Sequence, residues 1–292
     1  MNIIEIKNLK KDYGKNRGIE DVTFDIKKGE IFGFIGPNGA GKSTTIRTIL
    51  GFLKPTSGIA KVLGVDCTTN LSKAKMKIGY LPSEVNYYDS MKVISLLKYS
   101  AKYYKKNCDE KIEKLCDYFE VDRNKVFDEL SFGNKKKVAI VQALLHEPEL
   151  LILDEPTGGL DPLMQNKFFN LLKDENKKGT TIFFSSHILN EVQKMCDRVA
   201  IIKDGSIIKI DSIEEIRKKK YKKIKVELKN GDSLNELENM SNVEQLNRTI
   251  EFLYNGELEY LVKVLSRKSF SNLWIEEPSL EEGFMHYYRK EV

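Results

Sequence analysis

"GPNGAGKST", Gly36 to Thr44, follows the apolar run Ile31–Ile35 and precedes Ile46, Ile49, Leu50 and Leu53 at helical spacing. The hydrophobic period therefore changes from strand to helix across a glycine-rich turn. Only glycine lets a backbone wrap this closely and aim consecutive N–H groups at phosphate oxygens. The following helix N-terminus adds partial positive charge. The spacing G-x-x-x-x-G-K-[ST] assigns Gly36, Pro37, Asn38, Gly39, Ala40 and Gly41 to a phosphate cradle. Lys42 is expected to reach the β- and γ-phosphates, Ser43 to ligate Mg²⁺, and Thr44 to complete the motif. An incidental glycine-rich turn is the competing reading.

A phosphate-cleaving site also needs a metal carboxylate and a base for water. LLILDEP, Leu150 to Pro156, supplies both at a strand end. Asp154 is expected to hold Mg²⁺ directly or through water, and Glu155 to polarise the attacking water. Alone, an Asp-Glu pair after an apolar run is a plain turn; downstream of a P-loop it reads as catalytic. TTIFFSSHILNEV gives another strand, ending at Ser185–Ser186–His187. Sites on parallel sheets gather at the carboxyl ends of strands, so His187 is expected beside Lys42 and Asp154 as a γ-phosphate sensor. A structural histidine is the alternative.

Outward from these motifs, IIEIKNL, VTFDI and IFGFIG read as short strands punctuated by Gly29 and Gly36. Residues from about Asp89 to Leu145 read as mostly helical. Strands return in LLILD, TTIFFSS and RVAIIKDGSII, separated by helical segments. This alternation predicts an α/β fold with a mostly parallel sheet, and the long helical stretch predicts an inserted helical subdomain. After Ser212 a lysine-rich segment leads into a small strand–helix–strand appendage with a hairpin-type turn at Asn255–Gly256. The expected organisation is a nucleotide-binding domain over residues 1–214 and an accessory α+β domain over 215–292.

A length of 292 residues suits two domains, and 41% hydrophobic residues suffice for packed cores. The longest apolar runs fall far short of the roughly 20 residues a membrane span needs. The N-terminal MNIIEIKNLKKDYG also lacks a signal-peptide apolar region, so a soluble chain is expected. Cys67, Cys108, Cys116 and Cys196 form no CxxC pair and read as reduced thiols without metal. The basic runs Lys135–Lys137 and Arg217–Lys225 read as solvated faces or, for the second, as contacts with anionic headgroups or a partner's acidic loops. No interleaved aromatic pattern supports nucleic acid.

Gly36–Thr44, Leu150–Pro156, the following Gly159, Leu160 and Asp161, and His187 stand in the order and spacing of an ABC-transporter ATP-binding subunit. The chain resembles that family over about Ile4 to Ile210. The resemblance implies a P-loop NTPase core with an N-terminal antiparallel β subdomain, and ATP with Mg²⁺ as ligands. It implies that Tyr13 stacks on adenine and that Gly159, Leu160 and Asp161 form a dimer-interface loop. "LSFGNKKKVAI", Leu130 to Ile140, falls where the family has Leu-Ser-Gly-Gly-Gln. That signature segment covers ATP held by a second subunit facing head to tail. A serine hydroxyl, a glycine N–H and a helix starting near Lys135 suit a second anion cradle. Ser131 and Gly133 match the family pattern, whereas Phe132 and Asn134 depart from it. Ser83 stands where the family has a glutamine that touches Mg²⁺ and relays to the membrane partner, and is too short for that contact. Gly158 replaces a common serine.

The tail PSLEEGFMHYY, Pro278 to Tyr288, resembles extensions of bacterial subunits that drive drug, antibiotic or lipid exporters. The expectation is an ATP-hydrolysing subunit, cytoplasmic and peripheral on the inner membrane face. Its partners would be a second ATP-binding subunit and transmembrane permease subunits, with no nucleic acid. One rival is a non-transport ATPase of the same superfamily, which the single P-loop and the lack of sustained heptads disfavour. The other is a weakly hydrolysing regulatory module, motivated by Ser83, Phe132 and Gly158.

Overall fold

Every residue of Ile31–Ile35, Leu150–Asp154 and Thr181–Ser186 is buried, and these strands lie side by side within a ten-stranded sheet. A strand covered on both faces has no solvent side to keep polar, which is why each reads as an unbroken apolar run. The computed structural model describes residues 1–14, 18–85, 87, 90–218, 222–229, 234 and 237–276. The chain divides into two units, Met1–Ser212 and Ile213–Val292.

The strands of the first unit are β1 (Asn2–Lys11), β2 (Ile19–Lys27), β3 (Ile31–Ile35), β4 (Ser57–Val62), β5 (Val65–Asp66), β6 (Ile78–Leu81), β7 (Leu150–Asp154), β8 (Thr181–Ser186), β9 (Arg198–Lys203) and β10 (Ser206–Ser212). Its helices are α1 (Lys42–Ile49), α2 (Ser72–Lys75), α3 (Val93–Tyr103), α4 (Asp109–Tyr118), α5 (Phe132–Leu144), α6 (Pro162–Lys177) and α7 (Leu189–Met195). The sheet order is β5-β4-β1-β2-β10-β9-β3-β8-β7-β6. β9, β3, β8, β7 and β6 pair in parallel, while β5, β4, β1 and β2 pair antiparallel. The molecule is thus α/β, with a parallel core and an N-terminal antiparallel part.

Register places the site. Ile35 pairs with Ser186, Asp154 with Ser185, and Leu81 with Leu153, so β3, β8, β7 and β6 end at one edge of the sheet. Beneath that edge the rings of Phe24, Phe32, Phe34 and Phe183 pack with centroids 5.2–6.2 Å apart. Aromatic pairs at such separations add about 0.5–1.5 kcal/mol each beyond their burial. They give the loops above a rigid floor.

Several local expectations are corrected. α1 stops at Ile49, before Leu53, because Gly51 adopts φ 68° just past the helix end. RVAIIKDGSII is two strands, β9 and β10, joined at Asp204–Gly205 with φ 47° and 83°, the two-residue turn that Asp-Gly favours. Lys136 belongs to no solvated face, since it is 1% exposed inside α5. α3, α4 and α5 occupy the helical stretch, whose expected start at Asp89 lies outside the described residues.

The second unit holds α8 (Ile213–Lys218), β11 (Lys222–Leu228), β12 (Met240–Leu246), β13 (Thr249–Tyr254), α9 (Leu258–Leu265) and β14 (Phe270–Glu276). Its antiparallel sheet runs β12-β13-β11-β14. Ile224, Val226, Phe252, Leu261 and Leu265 form its core. The hairpin expected at Asn255–Gly256 lies instead at Asn247–Arg248, where Leu246 pairs with Thr249. Asn255 and Gly256 lead into α9, because the apolar spacing of Leu261, Val264 and Leu265 commits the next residues to a helix against the sheet. Part of the Arg217–Lys225 run and the tail Pro278–Tyr288 lie outside the described residues. Among the described residues no helix is long and apolar enough to cross a membrane.

Candidate functional site

β3 ends at Ile35, the chain turns through Gly36–Gly41, and α1 starts at Lys42. Gly39 and Gly41 have φ 81° and 108°, a region that side chains with a Cβ resist. A Cβ on Gly36 would stand 2.4 Å from the Ile202 carbonyl oxygen, so this turn runs against β9 with no room for a side chain. The Gly205 N–H donates to the Ala40 carbonyl at 3.1 Å and ties the loop to the β9–β10 turn. Lys42 Nζ donates to the carbonyls of Gly36 (2.7 Å) and Pro37 (3.2 Å), and pairs with Glu155 Oε1 at 3.2 Å.

At the end of β7, Asp154 is fully buried. Its Oδ1 accepts a 3.0 Å hydrogen bond from Ser185 Oγ on β8, while its Oδ2 has no hydrogen-bond partner among the described residues. A buried carboxylate oxygen left unpaired is costly, and this one fits a cation ligand. Glu155 turns away from the strand with φ 50°, a conformation rare outside glycine and found where structure around it over-determines it. Its N–H donates to the Ser185 carbonyl at 3.0 Å. One carboxylate oxygen meets Lys42 and the other meets His187 Nδ1. Glu155, Ser83 and Gly18 line a cavity of about 370 Å³ together with Asn38, Gly39, Gly41, Lys42, Ser43 and Thr44.

The structure thus brings the P-loop, Glu155 and His187 together, with Asp154 buried at the same strand edge. It does not bring Tyr13 into the cavity lining: that ring is 43% exposed, with Lys11 Nζ 5.3 Å from its centroid. The signature segment forms a separate surface. α5 begins at Phe132, three residues before Lys135, because Ser131 caps it by accepting the Asn134 N–H on Oγ at 3.4 Å. Accepting with a lone pair leaves the serine proton as a donor. In the first turn the N–H groups of Phe132 and Gly133 have no partner from within the helix.

Phe132 is 59% exposed and lies against Gly159, where a Cβ would stand 2.4 Å from the ring. A Cβ on Gly133 would stand 2.5 Å from the Gly159 carbonyl oxygen. The approach of the two loops therefore leaves no room for a side chain at Gly133, while Gly159 is held to glycine by its φ of 82°. Asp161 caps α6, accepting the Met164 N–H at 3.0 Å with Pro162 at the first helical position, and Leu160 is buried. A Cβ on Gly158 would meet only the Glu155 carbonyl oxygen, at 3.7 Å, so serine would fit there.

Three residues of the site escaped the sequence reading. Ser185 orients Asp154, and Gly18 borders the cavity from the chain entering β2. Lys136 donates through Nζ to the carbonyls of Pro82 (2.9 Å) and Ser83 (3.1 Å). Burial pulls its ammonium down to about 8, against the charges of Asp154 and Glu155, which favour the cation. The available signal was helical phase: Lys136 shares a face with Ile140, Ala143 and Leu144, all buried. Burial, followed by the charge of Asp154, pushes the Tyr80 phenol on β6 up to about 12.

The ABC transporter family profile matches residues 19–158. The linearmycin resistance ATP-binding protein LnrL of Bacillus subtilis (strain 168) is 39% identical over 215 residues, covering 71% of this chain and 68% of that protein. The probable multidrug ABC transporter ATP-binding protein YbhF of Escherichia coli (strain K12) is 36% identical over 220 residues, covering 74% of this chain. The match covers only 38% of YbhF. A solved ATP-binding subunit of an ABC transporter superposes with a TM-score of 0.68 at 32% identity, covering 74% of this chain and 92% of that one. A dimeric post-hydrolysis ATP-binding cassette bound to ADP and Pi gives 0.66 at 25% identity, covering 72% and 98%. The chain belongs to the ABC transporter family and carries its ATP-binding ATPase domain.

Proposed function

We propose that this chain hydrolyses ATP as one of two facing subunits and drives export of a drug- or antibiotic-like substrate through separate membrane proteins. The observation that carries the reading is Glu155, held between Lys42 and His187 at the rim of a P-loop cavity. Ser43 and Asp154 would hold Mg²⁺, for which the unpartnered Asp154 Oδ2 is a fitting ligand. Bound there, the metal would neutralise phosphate charge. The chain's own residues do the rest. Lys42 offers its ammonium to the γ-phosphate oxygens, and the loop N–H groups cradle the neighbouring phosphates. Glu155 takes the proton of the attacking water as the new P–O bond forms and the β–γ bridge breaks. His187 steadies the second oxygen of Glu155 and would sense the γ-phosphate from there.

Pairing is supported by exposure. Among the described residues none of Ser131–Asn134 lines the chain's own cavity, yet the segment opens a helix with unused donors. A second copy or a related subunit would bring its nucleotide to that surface. Export is supported by the names of LnrL and YbhF, and by the Pro278–Tyr288 tail. The place of action would be the inner face of the cell membrane, against permease subunits.

Steady-state phosphate release tests the chemistry. Glu155→Gln should lower turnover by about 10²- to 10⁴-fold. A wild type no faster than this variant would make the catalytic reading wrong. The same variant should elute as a dimer with saturating ATP, and Ser131→Arg introduced into it should restore the monomer. A monomer at saturating ATP without the second change sinks the pairing. Co-purification with ribosomes or DNA in place of a membrane protein sinks the transport role.

A further inference from the structure

Lys136 lies one turn into α5, and its side chain reaches the loop that leaves β6. It is 1% exposed, with its ammonium between the Pro82 and Ser83 carbonyls. A buried ammonium is tolerated only where its donors are used and opposite charge is near. Asp154 and Glu155 supply that charge. α5 grips the same loop again further along, where the Tyr87 hydroxyl donates to Gln142 Oε1. Gln142 Nε2 in turn donates to Ser100 Oγ on α3 at 2.8 Å.

The loop held this way borders two spaces. Ser83 lines the P-loop cavity, while Pro82, Tyr87 and Gln142 line a groove of about 300 Å³ with Phe52, Tyr80 and Tyr103. One helix therefore starts at the signature serine and carries, through two side chains, a loop that faces both. Packed elements shift as units, so displacement of α5 has to move that loop.

We propose that Lys136 is a positioning residue for ATP hydrolysis: by pinning the Pro82 and Ser83 carbonyls it makes the place of Ser83 at the cavity edge follow the signature helix. The proposal rests on the ATP-hydrolysing reading above. Lys136 touches no substrate; it acts through the loop. Among the described residues no other atom of the helix bonds to those two carbonyls, so the coupling at this end runs through one side chain.

The test uses the full chain as wild type, Lys136→Met, Lys136→Gln and Glu155→Gln, with ATP and Mg²⁺. Methionine keeps the length and removes the donors; glutamine returns an N–H₂. Lys136→Met is expected to lower kcat about tenfold while KM for ATP stays within about twofold, the size expected for losing charged hydrogen bonds. Amide exchange in peptides covering Ser83–Val85 should rise and stop responding to ATP. Lys136→Gln should recover part of both. Wild-type kcat in Lys136→Met, or an intact ATP response at Ser83–Val85, overturns the proposal. If Lys136→Met does not fold, Lys136→Gln decides: a kcat loss at unchanged KM and unchanged melting temperature supports positioning. A kcat loss that tracks a lowered melting temperature, with the ATP response at Ser83–Val85 intact, shows a structural role and overturns it. Failure of the hydrolysis reading is separate, since it shows as wild type no faster than Glu155→Gln, whatever Lys136 does.

Discussion

The P-loop and the signature segment are both glycine-bearing turns that open helices, yet among the described residues the first lines the cavity beside Glu155 and the second does not. Its lysine is 5% exposed and fully engaged by Gly36, Pro37 and Glu155. The signature presents Ser131 and a 59% exposed Phe132 to solvent, and its glycine answers to a neighbouring loop. Similar local chemistry is thus closed or left open according to what the fold places opposite. The far end of the signature helix is closed again, where His146 stacks on Tyr104 at 3.7 Å and bonds the Ile78 carbonyl through Nε2 at 3.1 Å.

The largest effect should come from breaking the closed half. Lys42→Ala removes the ammonium proposed to meet the phosphates and should lower turnover by at least about 100-fold. Phosphate release within tenfold of wild type would erase the contrast drawn between the two turns. On the open half, Gly133→Ala drives a methyl to 2.5 Å from a backbone oxygen. It should cost about 1–3 kcal/mol in urea unfolding, and should weaken ATP-driven pairing of the Glu155→Gln protein. Unchanged unfolding would mean that the two loops do not touch in solution.

The closed end of the helix has a pH signature. Burial pulls the His146 imidazole from 6.5 down to about 4, with Lys106 and Lys111 adding to the fall and the Ile78 carbonyl opposing it. Above 6.5 the ring is neutral in both folded and unfolded chains, so the residue adds no slope. As pH falls from 6.5 toward 4 the unfolded chain takes the proton first, and stability is lost. By pH 5 the loss should be about 2 kcal/mol. His146→Gln should lack that component in urea unfolding at pH 7, 6 and 5; an identical slope would assign it elsewhere. The smallest effect is Gly158→Ser, which meets only ordinary van der Waals contact. It should change stability by less than about 0.5 kcal/mol and leave turnover near wild type.

Legibility in the sequence followed how local each cause is. The P-loop, Asp154–Glu155 and His187 were readable because their residues sit at strand ends, where spacing alone sets the geometry. The Asp204–Gly205 hairpin carries an equally local signal, set inside a longer run that otherwise reads as one strand. Asn255–Gly256 carried a hairpin signal that a following helix overrode. Lys136 hid in a lysine triplet, since charge suggests solvent and only the helical phase of Ile140 and Ala143 points inward. Ser185 was in view as a strand residue, but its bond to Asp154 depends on β7 and β8 being neighbours.

Short-range causes made the glycine-rich turn before α1 and the places where strands give way to helices legible in the chain, because glycine conformation and apolar period act over a few residues. Packing decided the rest: Asp154 keeps an oxygen with no partner among the described residues, Gly133 must lack a side chain, and Lys136 is buried against the Ser83 loop. Each of those depends on groups far apart in the chain, and only packing of the sheet and its helices brings them within bonding distance.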